Sequence, residues 1–541
     1  MSGPYTFGAA LLDALVPEAG GELLSTYDIE IRAVAPALRA RVPARRVTLA
    51  DRLPQGERIL VPAPLRTLRL ANGLAEFVRA HPAAGGPLEL RVVNTAHADP
   101  TDLQLMDVLE RRVPGLSIVR EPAGPEHPAP SYALGPELDR YRNEGFHHAM
   151  AEAGAALLPS LPEGGEEWWL LAHRTATALA ALDREDEARE LLDRGRRAST
   201  DPKNLATAAY ATAMLLVRHH DHGRRDPEEA LAWINQAIAL TSLLPDRRER
   251  AFHLGFDLNG KALVQVRLGR ADEAMRLVQE AIDLGERDLA PGHPIHRLVL
   301  RANRAQLLGA RGEPEAALAD LDAVIAADPG YPDYYVDRGN LLYRLGRLDE
   351  AEADYESAMR AGPPFPEPYY NRSEVRYARG DLAGALADLD YAIELDPGFT
   401  DAYVNRAGLL VAMDELDRAK EDVGRDPGNP FLLSVLGQIE AARGDLVEAR
   451  KAFDSALERA PDLAVAWAGR GALAFEEGDP HAAVADLTRA IELQDGAEVR
   501  FNRAYALRSL GDVEGARADL LHAAALAPDD EQIREALADL G

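Results

Sequence analysis

The chain has 541 residues and a formal charge of −29, from 60 Lys and Arg against 89 Asp and Glu, so it is too long for one ordinary core and is repelled by phosphate backbones. It holds no cysteine, which excludes disulfides, thiolate catalysis and cysteine-held zinc together. No apolar run approaches the ~18 residues of a membrane helix and the start MSGPYTFGAALLDALVPEAGG has no basic leader, so a soluble, cytoplasmic protein with no membrane or nucleic-acid partner is expected.

Residues 1–121 read as a small α/β module. In PLELRVVNTAHADPTDLQLMDVLERRVPGLSIVRE, LELRVV is a short β-branched run, Asp-Pro-Thr-Asp caps an amphipathic helix to about Arg112, and LSIVRE is a second strand. A helix over 67–80 completes the layer. The module is close to neutral: residues 1–130 hold 14 Arg and 15 acids, which leaves about −28 for the rest.

Ala96-His97-Ala98-Asp99-Pro100 resembles the Walker B segment of regulatory P-loop ATPases of bacterial signalling proteins. In that family the strand ends in two acids; here Asn94 and Thr95 stand there, and no GxxxxGK[ST] loop precedes them. An acid is needed to hold magnesium's water and orient the attacking one, so the resemblance implies descent without hydrolysis. Asn259-Gly260-Lys261-Ala262 is no substitute, since it lies in a helical run. A degenerate docking or dimerisation module, with no cofactor, is expected.

REPAGPEHPAPSYALGPE is dense in proline and lacks a hydrophobic period, which makes residues 122–137 a linker. Beyond it the chain is helical and self-similar. Gly312, Gly346 and Gly380 are evenly spaced, Asp414 takes the next slot, and Gly444, Gly478 and Gly511 follow. Five residues after each turn stands an alanine: 317, 351, 385, 419, 449, 483 and 516. Helix-ending prolines run in phase at 329, 363, 397, 427, 461 and 528, with Asp495 replacing one. Glycine permits the tight turn, alanine the close approach, and proline the stop.

This pattern resembles the tetratricopeptide repeat, with Tyr335, Gly339, Gly346, Ala351, Tyr355, Ala358 and Pro363 at the family's positions in one unit. The resemblance implies a mainly α fold, a right-handed α-solenoid of helix-turn-helix repeats, here preceded by the small α/β domain. Seven units span 296–528, about three degenerate ones span 138–295, and 529–541 reads as a polar capping helix. The heavy use of Ala, Gly and Arg matches repeats of bacterial, actinobacterial-like type. The deletion in AKEDVGRDPGNP predicts one shortened second helix.

The family's first helices line a concave face that takes an extended peptide or partner helix. Two residues before the repeat's first conserved glycine stand Asn303, Asp337, Asn371, Asn405 and Asn502, interrupted by Val435 and Gly469. An arginine follows in six units: 304, 338, 372, 406, 470 and 503. Amides at one phase can pair with a peptide main chain whatever its side chains, and the resemblance implies that use. Tyr343, Tyr370, Glu374, Tyr377, Phe501 and Tyr505 would select a basic and apolar peptide. The alternative is structural: the asparagines bond the next helix and the arginines pair with acids of the second helices.

His219-His220-Asp221-His222 lies in an apparent loop without a metal-binding frame, so a solvated or capping loop is expected and no metal. Trp168-Trp169 reads as packing in the first helix pair. No converging catalytic set is visible. A non-catalytic scaffold is therefore expected, the alternative being a peptide-modifying enzyme or signalling regulator with its site between module and repeats.

Overall fold

A computed structural model describes residues 3–53, 63–82, 86–122, 132–219, 222–528 and 530–540. Most of the proline-rich linker lies outside these residues. The chain divides into two compact units, Met1–Asn371 and Arg372–Gly541.

In the first unit, helices Thr6–Leu15, Gly21–Thr26 and Asp28–Val34 precede a long helix, Ala63–Ala80. Strand β1 (Leu88–Val93), helix Pro100–Arg112 and strand β2 (Leu116–Glu121) follow, as the sequence predicts. The strands pair in parallel with Leu88 opposite Leu116, and the crossover helix closes one face. Val92 and Ile118 meet buried Leu105, Met106 and Leu109 in that layer. The same core continues without a break through Trp168, Trp169 and Leu192 to Ala208. The α/β layer is thus packed onto the first helix pairs as one body.

Helix pairs then follow in order: Glu166–Ala180 with Glu185–Ala198, Pro202–Arg218 with Pro227–Thr241, and Arg247–Arg267 with Ala271–Asp288. Pro294–Ala310 with Pro314–Ala327 and Pro332–Arg344 with Leu348–Ala361 complete the unit. The second unit repeats the plan from Leu382–Leu395 to Val513–Leu526 and ends in Glu531–Ala538. The helix Leu416–Val423 has 8 residues where its counterparts have 14, the shortening that the deletion predicts.

Each hairpin rests on three local facts. The turn residue is left-handed: Gly346 has φ 72°, and Asp183 and Asp414, which hold the same slot, have φ 56° and 60°. The alanine five residues on is buried completely, Ala351 and Ala385 among them. The first helix carries a small residue where it faces the second, a glycine opposite a ring in two hairpins and Ala305, Ala407 and Ala504 in others. A Cβ on Gly339 would meet the Tyr355 ring at 2.6 Å, and one on Gly437 would meet Phe453 at 2.7 Å.

A charged rung crosses six of the hairpins. Arg304, Arg338, Arg372, Arg406, Arg470 and Arg503 each grip the aspartate sixteen residues on in two parallel bonds of 2.6–2.9 Å. Five of those aspartates, at 320, 354, 388, 422 and 519, are buried. Arg338, Arg406 and Arg470 also ion-pair back to the preceding second helix, with Asp322, Asp390 and Asp454 at 2.5–2.7 Å, and Arg304 and Arg503 reach Gln279 and Thr488 there. The repeat starting at Pro430 lacks both partners together, with Leu436 and Ala452 in their places. Losing one alone would leave a buried charge unpaired.

Asp422→Ala should therefore cost about 3 kcal/mol of stability, because Arg406 would be left partly buried beside an apolar gap. Arg406→Leu combined with Asp422→Ala should cost clearly less than Asp422→Ala alone. Urea unfolding of wild type, Asp422→Ala, Arg406→Leu and the double variant checks this, and additive losses would rule the rung out as a coupled pair.

Candidate functional site

The first helices carry the amide column, and the structure shows what it touches. In residues 1–371, Asn303 Nδ2 donates to Asn259 Oδ1 at 2.9 Å and Asn371 Nδ2 to Asn340 Oδ1 at 2.8 Å. Asn340 Oδ1 also accepts from the Tyr355 hydroxyl at 2.9 Å. Asp337 accepts from Gln306. In the second unit Asn405 Nδ2 reaches Glu374 Oε1 at 3.4 Å. At Asp337, Asn371 and Asn405 the rule is the same: the residue three after the column position of one repeat braces the column residue 31 positions on. Asn502 is half-buried and makes no side-chain hydrogen bond among the described residues.

The column is therefore partly a set of cross-braces between successive first helices. Each bonded asparagine keeps a second N–H and its carbonyl oxygen, which no described residue takes. The arginines beside the column point their charge into the rungs instead.

Of the selectivity residues, Tyr343, Tyr370 and Glu374 are half-buried. Tyr377 is 55% exposed. Phe501 and Tyr505 lie ring to ring at 4.8 Å and cover the core of the last hairpin. In the second unit, large apolar side chains that the sequence reading did not single out are also exposed on first helices: Phe431, Val465 and Phe475. Phe475 holds the same repeat phase as Tyr377, three residues before the turn, a coincidence the aligned sequence contains.

The module and the repeats of the first unit meet directly. Arg69 pairs with Asp333, Arg46 donates to Gly362 O, and Leu49 N–H donates to Asp328. A cavity of about 350 Å³ lies there. Four of its arginines are matched by carboxylates, Arg46 by Asp28 and Glu30, Arg39 and Arg66 by Glu144, and Arg69 by Asp333, while Arg32 donates to the carbonyls of Arg39 and Val42. Among the described residues its lining holds no serine, cysteine or histidine. The Ala-His-Ala-Asp-Pro segment serves structure: Asp99 caps its helix through Thr101 N–H at 2.9 Å, and Asp102 accepts from Phe7 and Gly8 N–H at the start of Thr6–Leu15.

His220 and Asp221 lie outside the described residues. His219, expected in a solvated or capping loop, is the C-cap of helix Pro202–Arg218 and is buried, with Nε2 3.3 Å from Glu185 Oε1. The loop folds back because Arg225 donates to His219 O, at 2.7 Å. No group of three or more His, Asp or Glu able to hold a metal ion occurs among the described residues. No helix among them is long and apolar enough to cross a membrane. Trp168 and Trp169 are buried in the first core.

Such stacked hairpins define a helix-turn-helix repeat protein. Residues 303–365, 423–464 and 469–531 match the tetratricopeptide repeat family. Among solved structures the chain is similar to a tetratricopeptide repeat protein from Parabacteroides merdae ATCC 43184, at 20% identity and TM-score 0.39, over 45% of this chain and 98% of that one. It is also similar to yeast Tom70 (15% identity, TM-score 0.38, 75% of this chain and 93% of that one). A third is the Cut9–Hcn1 hetero-tetramer of the APC/C, at 13% identity and TM-score 0.36, over 75% of this chain and 96% of that one. No curated protein matches.

Asp337 gives this face a pH signature. Burial, with Asp333 nearby, pushes its carboxyl up to about 6. A folded pKa above the unfolded value means the folded chain holds the proton longer, so stability falls as pH rises from about 4 to 6 and is not regained above. Asp337→Asn should raise the melting temperature at pH 7.5 and leave it nearly unchanged at pH 4; equal shifts at both values would exclude this titration.

Proposed function

We propose that the chain is a non-catalytic scaffold that holds a protein or extended peptide along the first helices of its repeats. The observation that carries this reading is the recurrence, within residues 372–541, of exposed apolar side chains on first helices, while the core beneath them is closed. Tyr377, Phe431, Val465 and Phe475 are each at least 37% exposed. Val447, Val513, Leu521 and Leu526 are exposed on second helices as well, so what points to a partner face is the repeated phase on first helices: Tyr377 and Phe475 three residues before the turn glycine, Phe431 and Val465 thirteen before it. Half-buried Asn405, with Glu374 beside it, supplies polar anchoring in the same stretch.

The partner this face suits combines apolar anchors with basic groups, since the chain carries −29 overall and Glu374 lies among the aromatic side chains. The residues proposed to touch it are Asn303, Asp337, Asn371, Asn405 and Asn502, with Tyr343, Tyr370, Glu374, Tyr377, Phe501 and Tyr505 setting selectivity. In the first unit the role of Asp337 is narrowed by its neighbour Asp333, which the chain's own Arg69 already holds.

Tyr377→Ala with Asn405→Ala tests the reading. Tyr377 is largely exposed and Asn405 makes one long bond, so the melting temperature should stay within about 2 °C of wild type. Recovery of proteins co-purifying with the chain from its native cells, measured by quantitative mass spectrometry, should fall about tenfold. Unchanged recovery together with a large loss of stability would make these residues purely structural.

A further inference from the structure

Within residues 1–371 a repeat loop holds another stretch of the same chain. The loop that follows helix Pro314–Ala327 reads Asp328-Pro329-Gly330-Tyr331 and turns on a bond from Tyr331 N–H to Asp328 O at 3.3 Å. Residues 47–49 are seated on it. Leu49 N–H donates to Asp328 Oδ1 at 2.9 Å, and a Cβ on Gly330 would meet Val47 O at 2.3 Å. Two arginines complete the contact. Arg46 Nη1 donates to Gly362 O of the next loop at 3.2 Å. Arg69 binds both oxygens of Asp333, at 3.0 and 2.9 Å, with its guanidinium 3.8 Å over the Phe365 ring. The guest is a backbone extended at Thr48, which caps the short helix Leu49–Arg52, with arginines close by. The host is an Asp-Pro-Gly loop, the aspartate just inside the following helix, and the next loop.

The host recurs in the second unit. Asp396-Pro397-Gly398-Phe399 follows helix Leu382–Leu395 and turns on the same bond, Phe399 N–H to Asp396 O, at 3.1 Å. Asp401 is the second residue of helix Thr400–Ala412, as Asp333 is of helix Pro332–Arg344. Asp426 stands in the next loop where Gly362 stands in the first unit. Among the described residues of 372–541 no segment distant in sequence hydrogen-bonds to Asp396, Gly398, Asp401 or Asp426. The atom nearest a Cβ on Gly398 is its own neighbour's Asp396 Oδ1, at 3.2 Å. None of Asp396, Asp401 and Asp426 has an ion-pair partner among the described residues.

Resting on the scaffold reading above, we propose that the loop at Asp396–Gly398, with Asp401 and Asp426, docks an extended segment of a partner protein carrying arginine, in the way that residues 45–49 and Arg69 occupy the first loop. The three unpaired carboxylates supply the charge such a guest needs, and the exposed glycine lets its backbone come close. Arginine fits better than lysine, because its planar fork can take two carboxylate oxygens at once, as Arg69 does at Asp333.

The probe is a fluorescent peptide with the sequence of residues 42–52, VPARRVTLADR, titrated into the full-length chain by anisotropy. Saturable binding is expected, weakened about tenfold or more when Asp396→Asn and Asp401→Asn are combined, and likewise when the peptide arginines at positions 45 and 46 are alanine. The aspartate changes keep the acceptor oxygen that Gly398 N–H uses at 2.9 Å, so the loop should hold its fold, which circular dichroism checks. No saturation by about 1 mM, or equal affinity for wild type and double variant, overturns the proposal. In the second case the peptide is exchanging at Asp328 instead. Partners co-purifying equally with wild type and double variant would also overturn this site while leaving the scaffold reading standing; no partner with either would remove the scaffold reading itself.

Discussion

The repeats depend on a charge that water cannot reach. In six hairpins an arginine on the first helix and an aspartate sixteen residues later are bound by two parallel bonds, with the acid buried in five of them. A buried carboxylate without a partner is costly, so the two residues are retained or lost as a pair. The repeat from Pro430 shows this within one chain: Leu436 and Ala452 replace both members, and Phe453, 1% exposed, fills the core beside them. The pair also fixes the register of the two helices, because a planar guanidinium meets a carboxylate in two bonds only over a narrow range of helix offsets.

That constraint decides what the neighbouring positions are free to do. With arginine committed to the hairpin interior, the residue before it faces the preceding first helix, where Asn371 finds Asn340 and Asn405 finds Glu374. The amide column is thus a brace between repeats as well as a set of hydrogen-bonding groups for a guest. The two uses are compatible, since an amide has more donors and acceptors than one neighbour can occupy. The first unit adds a constraint of its own. Its α/β layer reaches the loops at Asp328 and Gly362, so part of the surface that repeats offer to partners is taken by the chain itself.

Much of the architecture was legible in the residues because helix-turn-helix repeats are local. The turn slot, the alanine and the small residue that faces the second helix are set within about 25 residues, and their recurrence turned a weak signal into a firm one. The βαβ order of the module was legible for the same reason, from a cap and two short apolar runs. The amide column was visible as a column, but whether Asn371 faced a guest or a neighbour depended on a residue 31 positions away in another helix. The aromatic phase shared by Tyr377 and Phe475 lay in the alignment too, yet only exposure separates a surface ring from a core ring such as Tyr355. The burial of His219 was not legible because a polar run reads as solvated, whereas Glu185 and Arg225 draw it inward.

The amino-acid order alone determined the hairpins, their number in the regular region, the shortened helix Leu416–Val423 and the acidity of everything past the module, because each follows from spacing or from a sum. The tertiary structure alone decided that the α/β layer shares its core with the first helix pairs, and that Arg46, Leu49 and Arg69 close on repeats some 260 to 320 residues away. Contacts at that separation carry no periodic trace. They arise when stacked hairpins bring distant loops to one place, and the geometry that does so is the sum of many small rotations between neighbours.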